Sequence, residues 1–185
     1  MNPHMSENEE TLFRAFVNNT TRYLEFGAGG STIIASEIVK YSVQSVESSK
    51  AWIHNVNAEC LNNRVKPSFI YANIGEIGEW GTPINEKQKS LWKNYHSIWD
   101  LPHTTNADIY FIDGRFRVAC FAQICINCKH NTIIGVHDYK RSAYSDIPKI
   151  GKTIASIENI AFFSPKKSER DLIIRVLEDH KEDYR

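Results

Sequence analysis

The chain has 185 residues, 42% of them hydrophobic, which at roughly 150 residues per domain points to one domain, 1–185, with a sizeable core. Its 22 basic residues are matched by 22 acidic ones, a balance that argues against nucleic acid or an anionic membrane as partner, because counterion release needs a concentrated basic surface. Only nine glycines and six prolines exclude a collagen-like or low-complexity chain.

The opening stretch Met1 to Glu10 is polar and acidic and does not read as a signal peptide. No apolar run approaches the ~18 residues of a membrane span. The four cysteines, Cys60, Cys120, Cys125 and Cys128, are too few and too clustered for a disulfide framework, so reduced thiols in a cytoplasm are expected. Cys125 and Cys128 have the spacing of half a zinc site or of a redox pair, with no second pair to complete a zinc site, and they are expected to pack a helix.

Leu12, Phe13, Phe16 and Val17 recur at helical spacing and predict an opening helix over 7–18. A short strand, 22–26, ends at Gly27-Ala28-Gly29-Gly30, and Ser31-Thr32 open the apolar helical run 33–39. The unit repeats with a strand at 43–47, Ser48 as a helix cap and a helical face from Ala51 to about Asn62. A third strand is expected at 69–72 and a fourth at 108–113, whose almost unbroken apolar interior suits a strand covered on both faces. A helix over 118–127, a fifth strand at 132–136, and two late strands at 159–163 and 172–177 complete the pattern.

The fold class is therefore α/β: a Rossmann-like, doubly wound, mostly parallel seven-stranded sheet with an antiparallel C-terminal hairpin. The long connection 75–105, rich in aromatics and carrying a short helix at 89–99, is expected to be a lid or substrate-covering insertion.

In such sheets ligands sit beyond the carboxyl ends of the strands. The residues there are Glu25, the turn 27–32, Glu47, Asn73, Asp113 and His137-Asp138. The glycine turn permits close backbone approach, and Glu47 lies where a carboxylate can accept both ribose hydroxyls of a nucleoside. The dinucleotide pattern requires a third glycine where Thr32 stands, and Glu25 before the turn would repel a pyrophosphate while suiting a positively charged amino-acid head. That combination favours S-adenosylmethionine.

On Tyr-Leu-Glu-Phe-Gly-Ala-Gly-Gly-Ser-Thr (23–32), Ser-Val-Glu (45–47), Asp-Ile-Tyr-Phe-Ile-Asp-Gly (108–114) and His-Asp-Tyr (137–139), the chain resembles the class I S-adenosylmethionine-dependent methyltransferases, in the small Rossmann-like branch related to the O-methyltransferases. The resemblance implies a cofactor site of Glu25, Phe26, Gly27, Ala28, Gly29, Gly30, Ser31, Thr32, Glu47, Ser48, Asn73 and Asp113. It places Glu25 near the methionine amino group, Glu47 on the ribose and Asn73 at the adenine edge. Transfer would take place above Asp113, His137 and Asp138, with Trp80, Trp92 and Tyr139 toward a small-molecule acceptor.

Some relatives hold Mg²⁺ at these two strand ends, so a divalent metal on Asp113, His137 and Asp138 is one reading. In the other, His137 is a general base or a structural histidine. Where relatives often carry a histidine after Asp-Gly, this chain has Phe116 between Arg115 and Arg117. The two arginines either bind an anionic group on the acceptor or are solvated cations at a helix start. The resulting expectation is methylation, at oxygen, of a small-molecule or saccharide acceptor. The alternative is a non-catalytic Rossmann-like module that binds a nucleoside.

Overall fold

The computed structural model describes residues 1–18, 20–102, 104, 106–129 and 131–185. Seven strands, β1 (Arg22–Phe26), β2 (Ser42–Glu47), β3 (Ser68–Tyr71), β4 (Ile109–Ile112), β5 (Ile133–Val136), β6 (Gly151–Ile157) and β7 (Ile160–Pro165), form one sheet in the order β3-β2-β1-β4-β5-β7-β6. The first five are parallel, and β7 runs antiparallel to both β5 and β6. Strand order reverses between β1 and β4, so the carboxyl ends of those two strands flank the crevice where open α/β sheets bind ligands.

Period-2 alternation sorts the strand side chains into two layers. Leu24, Phe26, Tyr110 and Ile112 face one side, where α5 (Arg117–Asn127) and α7 (Arg170–His180) pack together with Trp92, Tyr95 and Ile98. Tyr23, Val43, Ile109 and Phe111 face the other, beneath α1 (Glu7–Val17) and α2 (Gly30–Ile38). The helix α3 (Lys50–Glu59) follows β2, capped by the Ser49 hydroxyl, which accepts the Trp52 N–H at 3.2 Å.

The antiparallel hairpin exists, but its strands are β6 and β7, and 172–177 lies inside helix α7. Leu172, Ile173, Val176 and Leu177 recur at spacings of one, three and four residues, a helical stripe whose buried members Ile173 and Val176 dock on the core. The β-branched density of the run imitates a strand. Conversely, β6 is an edge strand exposed over most of its length, so it carries no apolar alternation to reveal it.

The 75–105 connection is mostly a packed layer. It contains two 3₁₀ turns, Glu79–Gly81 and Glu86–Leu91, and a single helical turn α4 (Lys93–His96) where a helix over 89–99 is expected from the sequence. Trp92, Tyr95 and Ile98 are almost fully buried. Positions 103 and 105, the end of the expected lid, lie outside the described residues. The short helix α6 (Ile147–Ile150) leads into β6. All four cysteines are buried free thiols, and burial raises the pKa of each. No helix among the described residues is long and apolar enough to cross a membrane.

Candidate functional site

A cavity of about 920 Å³ opens over the carboxyl ends of β1, β2, β4 and β5. That is near the top of the ~300–1,000 Å³ range of ligand pockets, enough for a nucleoside-sized molecule together with a smaller one. One half is the turn 27–31 with Glu47, Ser48, Ser49 and Trp52; the other is 113–115, Arg117, His137, Asp138 and Arg141. The roof is made of Met1 to Met5 and the loop from Ile77 to Thr82. Pro3 sits where a Cβ on Gly30 would fall, and His4 meets Trp80 edge-on with ring centroids 5.5 Å apart.

The glycines of the turn do different work. Gly27 has φ +99°, and an added Cβ would lie 2.6 Å from Cα and N of Gly114, so it is glycine because β1 and β4 approach each other there, not to admit a ligand. Around Gly29 a Cβ would meet nothing within 4 Å, because the space beside it is the cavity. Gly27→Ala is therefore expected to cost about 2–4 kcal/mol of stability in a denaturant titration, from strain and overpacking. Gly29→Ala is expected to keep the fold within about 1 kcal/mol and to weaken a ligand seated on the turn at least about tenfold. Equal stability losses in the two variants would contradict this division.

The first three amides of the turn are spent within the protein. Gly27 N–H donates to the Val46 carbonyl at 2.9 Å, Ala28 N–H to Glu47 Oε2 at 3.2 Å, and Gly29 N–H to Thr32 Oγ1 at 2.9 Å. Glu47 Oε1 accepts the Ser48 and Ser49 N–H groups at 2.6 and 2.8 Å. Burial raises the Glu47 pKa, opposed by these backbone donors. Its Oε2 takes a single bond from the protein and so keeps acceptor capacity at the cavity wall. Trp52, which the sequence did not single out, joins α3 to the turn by donating from Nε1 to the Ala28 carbonyl at 2.7 Å.

Glu25 lies below the turn and is fully buried. Hydroxyls of Tyr23, Ser31 and Ser45 donate to it at 2.8, 2.7 and 3.0 Å, and that of Thr32 donates as well. Burial pushes its carboxyl up to about 7 against those donors. It braces β1, β2 and α2 and does not border the cavity. Phe26 and Thr32 are likewise buried beneath it.

At the other end, Asp113 Oδ1 lies 3.1 Å from His137 Nδ1, and His137 Nε2 lies 3.5 Å from Glu9 Oε2. Glu9 is itself buried and accepts the Ser6 N–H at 2.9 Å and the Asn159 N–H at 2.7 Å. Burial lowers the His137 pKa, but the hydrogen bond and charge of Asp113, with Asp138 and Glu9, outweigh it and raise the ring above its ordinary value. Burial likewise opposes ionisation of Asp113, and the His137 hydrogen bond with the Arg117 and Arg115 cations overcomes it and holds Asp113 low. Asp138 stands at φ +57°, a conformation uncommon outside glycine, as does Trp80 across the cavity.

The remaining expected residues lie elsewhere. Trp92 is 1% exposed and packs on Phe116 and Tyr184, so it is core. Tyr139 packs against Phe163 away from the cavity. Asn73 is exposed, caps Gly75 N–H at 3.1 Å and does not line the cavity. Besides Trp52, sequence reasoning missed Glu9, Arg141, Met1 to Met5 and Tyr95, whose hydroxyl accepts the Arg115 N–H at 3.3 Å. Arg141, three residues beyond Asp138, carried the nearest thing to a signal.

No protein-family model matches the sequence, and no curated protein matches it either. Among solved structures, a methyltransferase-like protein from Silicibacter pomeroyi superposes with a TM-score of 0.87 at 23% identity, covering 98% of this chain and 97% of the other. The fold is the one these two proteins share. An S-adenosylmethionine-dependent O-methyltransferase from Thermotoga maritima superposes at a TM-score of 0.58 and 8% identity over 89% of this chain and 67% of its own. A TehB-like S-adenosylmethionine-dependent methyltransferase from Corynebacterium glutamicum gives 0.52 and 9% over 84% and 86%. The seven-stranded sheet with its antiparallel hairpin is thus a methyltransferase-type α/β fold.

Proposed function

We propose that the protein is an S-adenosylmethionine-dependent methyltransferase that methylates a small-molecule or saccharide acceptor at oxygen. The observation that carries this reading is the Glu47 carboxylate, which keeps acceptor capacity beside the open space at Gly29, next to a turn whose amides 27–29 are donated within the protein. The ribose of a nucleoside fits that arrangement. When bound, S-adenosylmethionine supplies an electrophilic methyl group on a cationic sulfonium.

The chain's own residues supply alignment and a proton acceptor. Glu47 holds the ribose hydroxyls, with Trp52 and the turn forming the walls of the nucleoside half. Asp113 and Asp138 present carboxylate oxygens at the far end of the same cavity, where they can accept a hydrogen bond from an acceptor hydroxyl. With the cofactor supplying the methyl group, Asp138 would hold the acceptor hydroxyl and take its proton. His137 faces carboxylates with both ring nitrogens, Asp113 at one and Glu9 at the other, so it orients Asp113 and does not take the proton. Arg115 lines the acceptor end without an ion pair among the described residues, suiting an acceptor with an anionic group.

Tritium from methyl-labelled S-adenosylmethionine tests the reading. Incorporation into members of a panel of hydroxylated small molecules and saccharides is expected. In Asp138→Ala, kcat is expected to fall about 10²-fold or more with S-adenosylhomocysteine affinity within a few-fold of wild type. Binding of the adenosyl compounds with no transfer to any acceptor would favour the non-catalytic nucleoside-binding module.

A further inference from the structure

Asp113, His137 and Asp138 each present one ligand atom within 4.8 Å of the others, the arrangement of a divalent-metal triad. The position such an ion would take is already held by a side chain. Arg117 is 3% exposed, and its Nη2 lies 3.2 Å from Asp113 Oδ1 and 3.4 Å from Asp138 Oδ2. The same guanidinium donates from Nε to the Gly114 carbonyl at 3.0 Å, from Nη1 to the His137 carbonyl at 2.5 Å and from Nη2 to the Asp113 carbonyl at 3.0 Å.

We propose that Arg117 is the resident cation of the Asp113–Asp138 pair, standing in the place of a divalent metal, so that the site neither binds nor needs one. Three observations converge on it. A dication would have to expel a buried guanidinium from two carboxylates and three carbonyls, and a buried cation stripped of its partners is strongly destabilising. Arg141 reaches Asp138 Oδ2 at 2.5 Å, so two positive charges already face the two carboxylates. Both His137 ring nitrogens lie near carboxylates, Nδ1 at 3.1 Å from Asp113 and Nε2 at 3.5 Å from Glu9, so a metal on Nδ1 would have to displace the Asp113 hydrogen bond. The residues therefore do not fit the metal that the strand-end acids suggest in the sequence.

The arrangement gives Arg117 a positioning role. By binding carbonyls at the ends of both β4 and β5, it fixes Asp113 and Asp138 relative to each other, as a metal would, from a side chain that cannot be chelated away. The part of this that concerns transfer rests on the function proposed above; the part that concerns metal binding does not.

Titration of wild-type protein with Mn²⁺, followed by the loss of the free-ion paramagnetic resonance signal, is expected to show no saturable binding. EDTA is expected to leave S-adenosylhomocysteine affinity unchanged. Arg117→Ala is expected to gain a Mn²⁺ or Zn²⁺ site that Asp113→Asn in the same background removes. Stoichiometric Mn²⁺ binding by wild type, weakened in Asp113→Asn or Asp138→Asn, would overturn the proposal, as would a folded Arg117→Ala protein that gains no metal. The wild-type titration decides the matter should Arg117→Ala not fold. Failure of S-adenosylhomocysteine to bind would instead count against the proposed function and leave the metal result standing.

Discussion

Glu25→Ala is expected to cost about 3–5 kcal/mol of folding stability, the largest single effect anticipated outside the apolar core. The substitution removes a fully buried acceptor and leaves the hydroxyls of Tyr23, Ser31, Thr32 and Ser45 without their common partner. Each orphaned buried polar group and the space left behind carry a penalty. The pH dependence follows from the same carboxyl. Burial raises it from 4.5 to about 7, so in that window the folded protein keeps a proton that the unfolded chain has released. Its contribution to stability is complete below pH 4.5 and is lost as pH rises through about 7, a decline of roughly 3 kcal/mol at about 1.4 kcal/mol per pH unit.

Other groups titrate nearby. Burial lowers His96 to about 4, so it loses stability in the opposite direction, as pH falls below 6.5. His137, raised, declines with rising pH like Glu25. The quantity to measure is therefore the difference between wild type and Glu25→Gln in urea titrations from pH 4 to 8. The gap is expected to close as pH rises. Parallel pH profiles would show that Glu25 is not the group responsible.

Glu47→Gln is expected to raise the dissociation constant of S-adenosylhomocysteine about 100-fold, or ~3 kcal/mol. The Glu47 carboxyl group organises three backbone donors at one wall of the cavity, Ala28 on one oxygen and Ser48 and Ser49 on the other. An amide keeps one acceptor oxygen and turns an NH₂ toward either the Ala28 or the Ser48 and Ser49 donors, so the acceptor left for a ribose is lost. Calorimetric titration of the variant measures the loss. An unchanged affinity would remove Glu47 from the nucleoside site. Because the same change disturbs the turn, stability should be followed in parallel; a fall of about 1–3 kcal/mol is expected there.

Strand-end residues were legible in the sequence because the sheet's periodicity fixes where each strand stops. Glu47, Asp113 and Asp138 were placed at the cavity by that argument alone, and all three line it. What the sequence conceals is partnership. Arg117 reads as a surface cation or an acceptor ligand because its charge is visible and its three carbonyls and two carboxylates, drawn from two strand ends, are not. Glu9 reads as a first-turn helix acid; its approach to His137 spans most of the chain. Glu25 sits in register to meet a ligand, yet Ser31, Thr32 and Ser45 converge on it from two other elements and seal it.

The same blindness explains the hairpin. A strand such as β6, exposed on both faces, has no hydrophobic period, whereas Leu172 to Leu177 is rich in β-branched residues because one stripe of a helix must fill the core beside α5. Trp92 was legible as an aromatic at helical spacing but not as core, since its partner Tyr184 lies near the far end of the chain.

Calorimetric titration of the wild-type protein with S-adenosylmethionine, S-adenosylhomocysteine and NAD, under identical conditions, tests the central claim most directly. Saturable one-to-one binding of both adenosyl compounds, with no heat from NAD, is the predicted result, because the dinucleotide pattern's third glycine is replaced by Thr32 and the amides of 27–29 are donated within the protein. Binding of NAD in preference to S-adenosylhomocysteine, or binding of neither, would contradict it.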